Sequence, residues 1–148
     1  MPYCAEVETM EHLYLGCEFY SELQWFDLCK YITQYIRQTY DPQSPEIRIT
    51  YRNIIFNEEI KNLNRRLPSK SVRKFIQLLI HEIRRDIYFR KVNYIANNNT
   101  EVSHIRRKAH LIIVLEKTIS YLEYLGLAKW TQAIDCAKKI KENIQNDI

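Results

Sequence analysis

The chain has 148 residues, about one domain's length, and its 46% hydrophobic and 27% charged content excludes a disordered or collagen-like polymer. Only two glycines and four prolines are present, which leaves a many-stranded antiparallel fold short of turn formers and makes an all-α chain the expectation. The net charge of +4 hides a polarity: residues 1–50 carry three basic and eight acidic side chains, net −5, and residues 51–148 carry nineteen against ten, net +9.

No basic-then-apolar leader opens the sequence, and no run approaches about 18 uninterrupted apolar residues. Membrane spanning is therefore not expected. An intracellular, reducing location is, without a choice between nucleus and cytoplasm. In that setting Cys4, Cys17, Cys29 and Cys136 read as thiols or metal ligands rather than as a disulfide framework.

The opening segment, residues 1–20, places His12 between Cys4 and Cys17 in a Cys-x7-His-x4-Cys arrangement. Thiolates and imidazoles are the borderline-soft donors that zinc prefers, and a closed structural site needs four of them. Three are present, so spacing alone fits either an incomplete zinc site or a short amphipathic helix carrying two thiols. The next segment begins at Ser21-x-x-Gln24, the form of a capping box, and its apolar positions Trp25, Phe26, Cys29, Ile32, Tyr35 and Ile36 predict a helix over 21–39. Asp-Pro-Gln-Ser-Pro at 41–45 should stop it. Cys29 then falls on the packed face, where a small buried hydrophobe is the default reading and a fourth metal ligand the lesser one.

Residues 46–56 are ambiguous, since Ile47, Ile49 and Tyr51 alternate as in a strand before helical spacing returns. The expectation is a loop and then a helix. Pro68 and Ser69 signal the start of a long helix over 71–95, with Val72, Phe75, Ile76, Leu79, Ile80, Ile83 and Ile87 in one stripe. Another is expected over 104–125, with Ser103 as cap and Gly126 as stop, and a final amphipathic helix from Thr131.

The run VETMEHLYLGCEFYSELQW (7–25) resembles the zinc-binding region at the C-terminal end of reverse transcriptases of non-LTR retrotransposons. Glu8, Thr9, His12, Leu13, Tyr14 and Cys17 match its Glu-Thr-x-x-His-Leu-aromatic pattern and following cysteine, and Trp25 falls where such proteins often carry a tryptophan. HEIRRDIYFRKVNYI (81–95) is similar to the basic, aromatic-bearing helix that follows in the family. The resemblance implies a zinc site of Cys4, His12 and Cys17, with Met1 standing where the family has a first cysteine. A water, a partner or one of Glu6, Glu8 and Glu11 would fill the fourth position. It also implies a non-catalytic C-terminal remnant, because 148 residues starting at the knuckle leave no room for the polymerase.

No Gly-rich phosphate loop, Gly-x-Ser-x-Gly turn or His-Glu-x-x-His pair is present, so an enzyme is not expected. Opposite the apolar stripe of the 71–95 helix stand Arg73, Lys74, Arg84, Arg85 and Lys91, with Lys70 and His81, and a second basic cluster occupies 106–108. Such a face can displace counterions from RNA or DNA phosphates, with Tyr88 and Tyr94 as stacking rings, or can simply be solvated. The expectation is thus a zinc-knuckle-like segment (1–20) followed by an irregular bundle of amphipathic helices (21–148). Its function is zinc and nucleic-acid binding, or else that of a helical structural or protein-interaction domain, or vestigial product, with neither. The sequence leaves the oligomeric state open.

Overall fold

A computed structural model describes Tyr14, residues 22–97 and residues 104–148, with side chains at Tyr14 and over 24–89 and 107–148. The described chain is all-α. Its elements are α1 (Glu22–Thr39), α2 (Tyr51–Ile55), α3 (Leu63–Arg66), α4 (Lys70–Asn97), α5 (His104–Leu125), a 3-10 turn (Ala128–Trp130) and α6 (Thr131–Asn146). None of the described helices is long and apolar enough to cross a membrane. The helices expected over 21–39, 71–95, 104–125 and from Thr131 are all present within two residues at the described ends. Ser21 and Ser103, the expected caps of two of them, lie outside the described residues.

The core follows from helical periodicity. All seven apolar positions of the α4 stripe are buried, and Leu111, Val114, Leu115, Ile119 and Leu122 of α5 and Ala133, Ala137, Ile140 and Ile144 of α6 close over them. Each large aliphatic side chain removed from water there is worth roughly 1.5–3 kcal/mol. Helices α4, α5 and α6 pack on one another, α1 lies against α5 and α6, and the short α2 and α3 rest on α4. Phe26 departs from expectation: it is 61% exposed, while Trp25, Leu28, Ile32 and Ile36 are buried. At about 100° per residue Leu28, Ile32, Trp25 and Ile36 fall within an arc of about 80°, and Phe26 stands about 80° beyond its edge.

Alternation at residues 46–51 is real, but its partner is a helix. Residues 46–50 run without helical or strand structure, Ile47 is buried and Ile49 half-buried. The Ile47 amide donates to Thr33 Oγ1 at 2.9 Å, and the Ile49 amide to the Cys29 thiol. Thr33, itself donating to the Cys29 carbonyl at 2.7 Å, fastens this segment to α1. Thr50 and Asn53 form the capping box of α2. Asn57 and Asn62 take φ values of 55° and 61°, and Gly126 one of 63° at the end of α5. Asparagine tolerates this left-handed region, which is how a chain with two glycines turns there.

One polar clamp gathers three helices at the C-terminus. Tyr31 Oη donates to Asp147 Oδ2 at 2.8 Å, Lys30 Nζ lies 3.4 Å from the same oxygen, and Lys108 Nζ donates to the Asp147 carbonyl at 3.1 Å. Lys108 is buried, so its ammonium depends on that carbonyl. These cations also face the negative end of the α6 dipole. The Tyr31 hydrogen bond, with help from Lys30, holds the Asp147 carboxyl below its ordinary pKa of 3.8.

Asp147→Ala should lower stability in urea by about 1–2 kcal/mol at neutral pH, the range for a lost, partly exposed hydrogen bond to a charged group. A folded-state pKa below the unfolded value means that this contribution is full above the ordinary pKa and lost as pH falls through the lowered one. The gap between variant and wild type should therefore close in acid. An unchanged urea midpoint at neutral pH would overturn the clamp.

Candidate nucleic-acid interface

Helix α4 presents two polar flanks with different work. On one, Arg73 Nη1 donates to the Leu67 carbonyl at 2.7 Å and to the Pro68 carbonyl at 2.9 Å, and its Nε lies 3.5 Å from Glu59. One helical stretch later, Arg84 Nη1 donates to the Ile54 carbonyl at 3.1 Å. These two guanidiniums bridge α4 to the α2–α3 segment, whose carbonyls would otherwise be left without donors. Both side chains are half-buried. They lie beside the apolar stripe rather than opposite it.

The other flank is open. At about 100° per residue, Lys70, Lys74, His81, Arg85 and Tyr88 fall within an arc of about 60° along the outer face of α4. Lys70 and Lys74 line a cleft of about 470 Å³ with Ser69, Ser71, Lys129 and Trp130. Ser69 caps the helix there, its Oγ 3.4 Å from the Val72 amide. Further along, His81 and Arg85 line a groove of about 450 Å³ with Leu78, Glu82, Lys117 and Tyr121. Helices α4 and α5 run antiparallel beside it, with His110 Nδ1 3.8 Å from Asp86 Oδ1 at the far end.

Across both clefts five cations meet one carboxylate, Glu82, which lies 3.4 Å from Arg85. Arg85 also sits over the Phe89 ring at 6.0 Å. Tyr121 is 53% exposed and Tyr88 47%. The surface is thus cationic with rings interleaved, the composition that tracks a phosphate backbone and stacks bases.

Of the five residues expected to contact phosphate, Lys74 and Arg85 stand on this open surface. Arg73 and Arg84 are engaged with backbone carbonyls, and the Lys91 side chain lies outside the described residues, as does that of Tyr94. Sequence reasoning missed Lys117, Tyr121 and Lys129. The i,i+4 spacing of Lys117 and Tyr121 was a visible sign, but only the pairing of α5 with α4 brings them opposite Arg85.

Cys4, His12 and Cys17 lie outside the described residues. Between the last two, the Tyr14 carbonyl accepts the indole N–H of Trp25, and its ring packs against the core. The buried Cys29 is not a free donor: its thiol accepts the Ile49 amide, and burial pushes its pKa up to about 11. Cys136, also buried, is pushed up to about 12 for the same reason. Both thiols are packed into the core as small hydrophobes. In comparison with protein-family models, curated proteins and solved structures, the chain finds no match.

The division of α4 makes opposite demands on its cations. Arg84→Ala should cost about 1–3 kcal/mol in urea denaturation, by leaving the Ile54 carbonyl without its donor. Lys74→Ala, exposed on the open flank, should stay within about 0.5 kcal/mol of wild type. Equal effects of the two substitutions would remove the distinction between the flanks.

Proposed function

We propose that this chain is a non-catalytic module related to the C-terminal region of non-LTR retrotransposon reverse transcriptases, holding zinc at its N-terminal segment and nucleic acid along α4. The nucleic-acid half is carried by one observation, the excess of cations over carboxylates in the two clefts on the outer flank of α4. Phosphate contacts by lysine and arginine release condensed counterions, and that release is the sequence-independent part of nucleic-acid affinity.

Support for the zinc half comes from the resemblance over residues 7–25 and from donor chemistry. Cys4 and Cys17 supply thiolates and His12 an imidazole, a set suited to zinc, with water, a partner or a nearby glutamate as fourth ligand. The bond from Trp25 to Tyr14 joins the middle of that segment to α1. Zinc bound there would contribute folding stability to the segment, because its ligands must be gathered and deprotonated for the ion to bind. A second reading, a helical structural or protein-interaction domain that binds neither, draws on Arg73 and Arg84, whose charges serve the fold.

Zinc should bind at one ion per chain, read by competition with a chromogenic chelator. Cys17→Ser should abolish it, and Met1→Cys behind an added start residue should tighten it. A chain that takes up no zinc loses this half of the proposal.

Fluorescence anisotropy on labelled RNA and DNA tests the other half. Affinity should be micromolar or tighter at low salt, and log affinity should fall against log salt with a slope of about −3.5 for five contacts to a single strand. A chain that binds neither nucleic acid at low salt belongs to the second reading.

A further inference from the structure

We infer that the ligand of this surface is a single strand, laid along the groove between α4 and the α5-to-α6 connection, with an unpaired base stacked on Tyr121. This rests on the nucleic-acid reading above and narrows it. The argument begins with continuity. Lys70 and Arg85 are about 22 Å apart along α4 at 1.5 Å per residue, and both face the same side. Opposite them, the chain from Lys117 through Tyr121 to Lys129 runs in the reverse direction, first on α5 and then on the 3-10 turn. Both ends of this path touch α4, because α5 and the 3-10 turn each pack on it. The two clefts follow one another along α4, with Lys74 and Lys129 at one end and Arg85 and Lys117 at the other, and the inferred strand spans both, along a path we call the furrow.

Ring placement decides between single strand and duplex. Tyr121 lines the Arg85 end of the furrow and leaves half its surface to solvent. Leu78 and the buried Thr118 form the floor beside it. A ring flanked by cations can stack on a base only if that base's face is free, and inside a duplex both faces are already covered by neighbouring pairs. Duplex phosphates could meet the lysines but would leave the tyrosine unused. In a single strand the phosphates follow the lysines while a splayed base lies on the ring.

The same chemistry separates this ligand from an acidic protein segment. Carboxylates would satisfy the cations, yet they carry no flat face for Tyr121. Polyglutamate of matching charge is therefore the control polyanion.

The test uses the full chain with labelled oligothymidylate, a blunt duplex of equal length, and polyglutamate as competitor. Wild type should prefer the single strand. Lys74→Ala, Lys117→Ala and Lys129→Ala should each flatten the salt plot by about 0.7. Tyr121→Ala should weaken single-strand binding by roughly 5- to 150-fold with the salt slope unchanged, and should leave duplex binding as it was. Tyr121→Phe, which keeps the ring, should restore the affinity. All four positions are exposed, so each variant should retain its helices, which far-UV circular dichroism checks.

Oligothymidylate binding that no variant changes would put the strand elsewhere on the protein, overturning the furrow while leaving nucleic-acid binding intact. Equal affinity for duplex, or equal competition by polyglutamate, would overturn the stacked single strand. If wild type binds none of the three, the furrow falls together with the function it rests on.

Discussion

Burial of the α4 stripe is the constraint on which the rest of this structure depends. Seven aliphatic and aromatic side chains from Val72 to Ile87 are withdrawn from water along one line, and α5, α6, the 3-10 turn, α2 and α3 all pack on the helix that carries them. A helix with neighbours on two sides keeps only a narrow outward face. Whatever charge it bears must either be absorbed by those neighbours or be left on that face, and α4 does both, on opposite flanks.

Residue type follows the division. Arg37, Arg66, Arg73 and Arg84 all donate to backbone carbonyls of other segments, at Ser44, Pro45, Leu67 and Ile54. A planar guanidinium with several fixed donors can hold an irregular loop while staying charged, and it loses less freedom per bond than an ammonium does. Lysines 70, 74, 117 and 129 are exposed and line the furrow instead. A flexible ammonium is the better partner for phosphates whose positions vary along a strand. Arg85, exposed in the furrow, is one exception; Lys108, buried and bonded to the Asp147 carbonyl, is another, and there the stem packs while the head meets a helix C-terminus.

The long helices were legible because a buried stripe of 3.6-residue period writes itself directly into the order of apolar residues. The course of residues 46–50 was legible only as an alternation, since hydrogen bonding to Thr33 and Cys29 of a helix leaves the same two-residue signature as a strand. Phe26 was assigned to the packed face because it is apolar, though its angular position outside the arc of Leu28, Ile32, Trp25 and Ile36 already argued against that. On α4 the helical wheel puts Lys74 and Arg85 opposite the stripe and Arg73 and Arg84 at its side, a difference lost when all four are counted as one basic face. A wheel knows which residues oppose the core but not which flank a neighbouring loop will cover. Lys117, Tyr121 and Lys129 join the furrow through tertiary pairing alone, which no spacing within one segment encodes.

Charge adds a direction to this geometry. The excess of acid in the first 50 residues and of base in the remainder makes the protein an electric dipole in sequence, and the furrow lies wholly in the basic portion. Within about a Debye length, roughly 8–10 Å at ordinary ionic strength, the cations lining the clefts attract a polyanion. The glutamates near His12 and Cys17 then have a consequence for both proposed ligands. If the proposed zinc site forms, their charge would favour a divalent cation over phosphate in that segment, so metal and nucleic acid would not compete for the same part of the chain. Under that proposal the acidic residues of the opening segment would serve the metal and the basic clefts along α4 the strand.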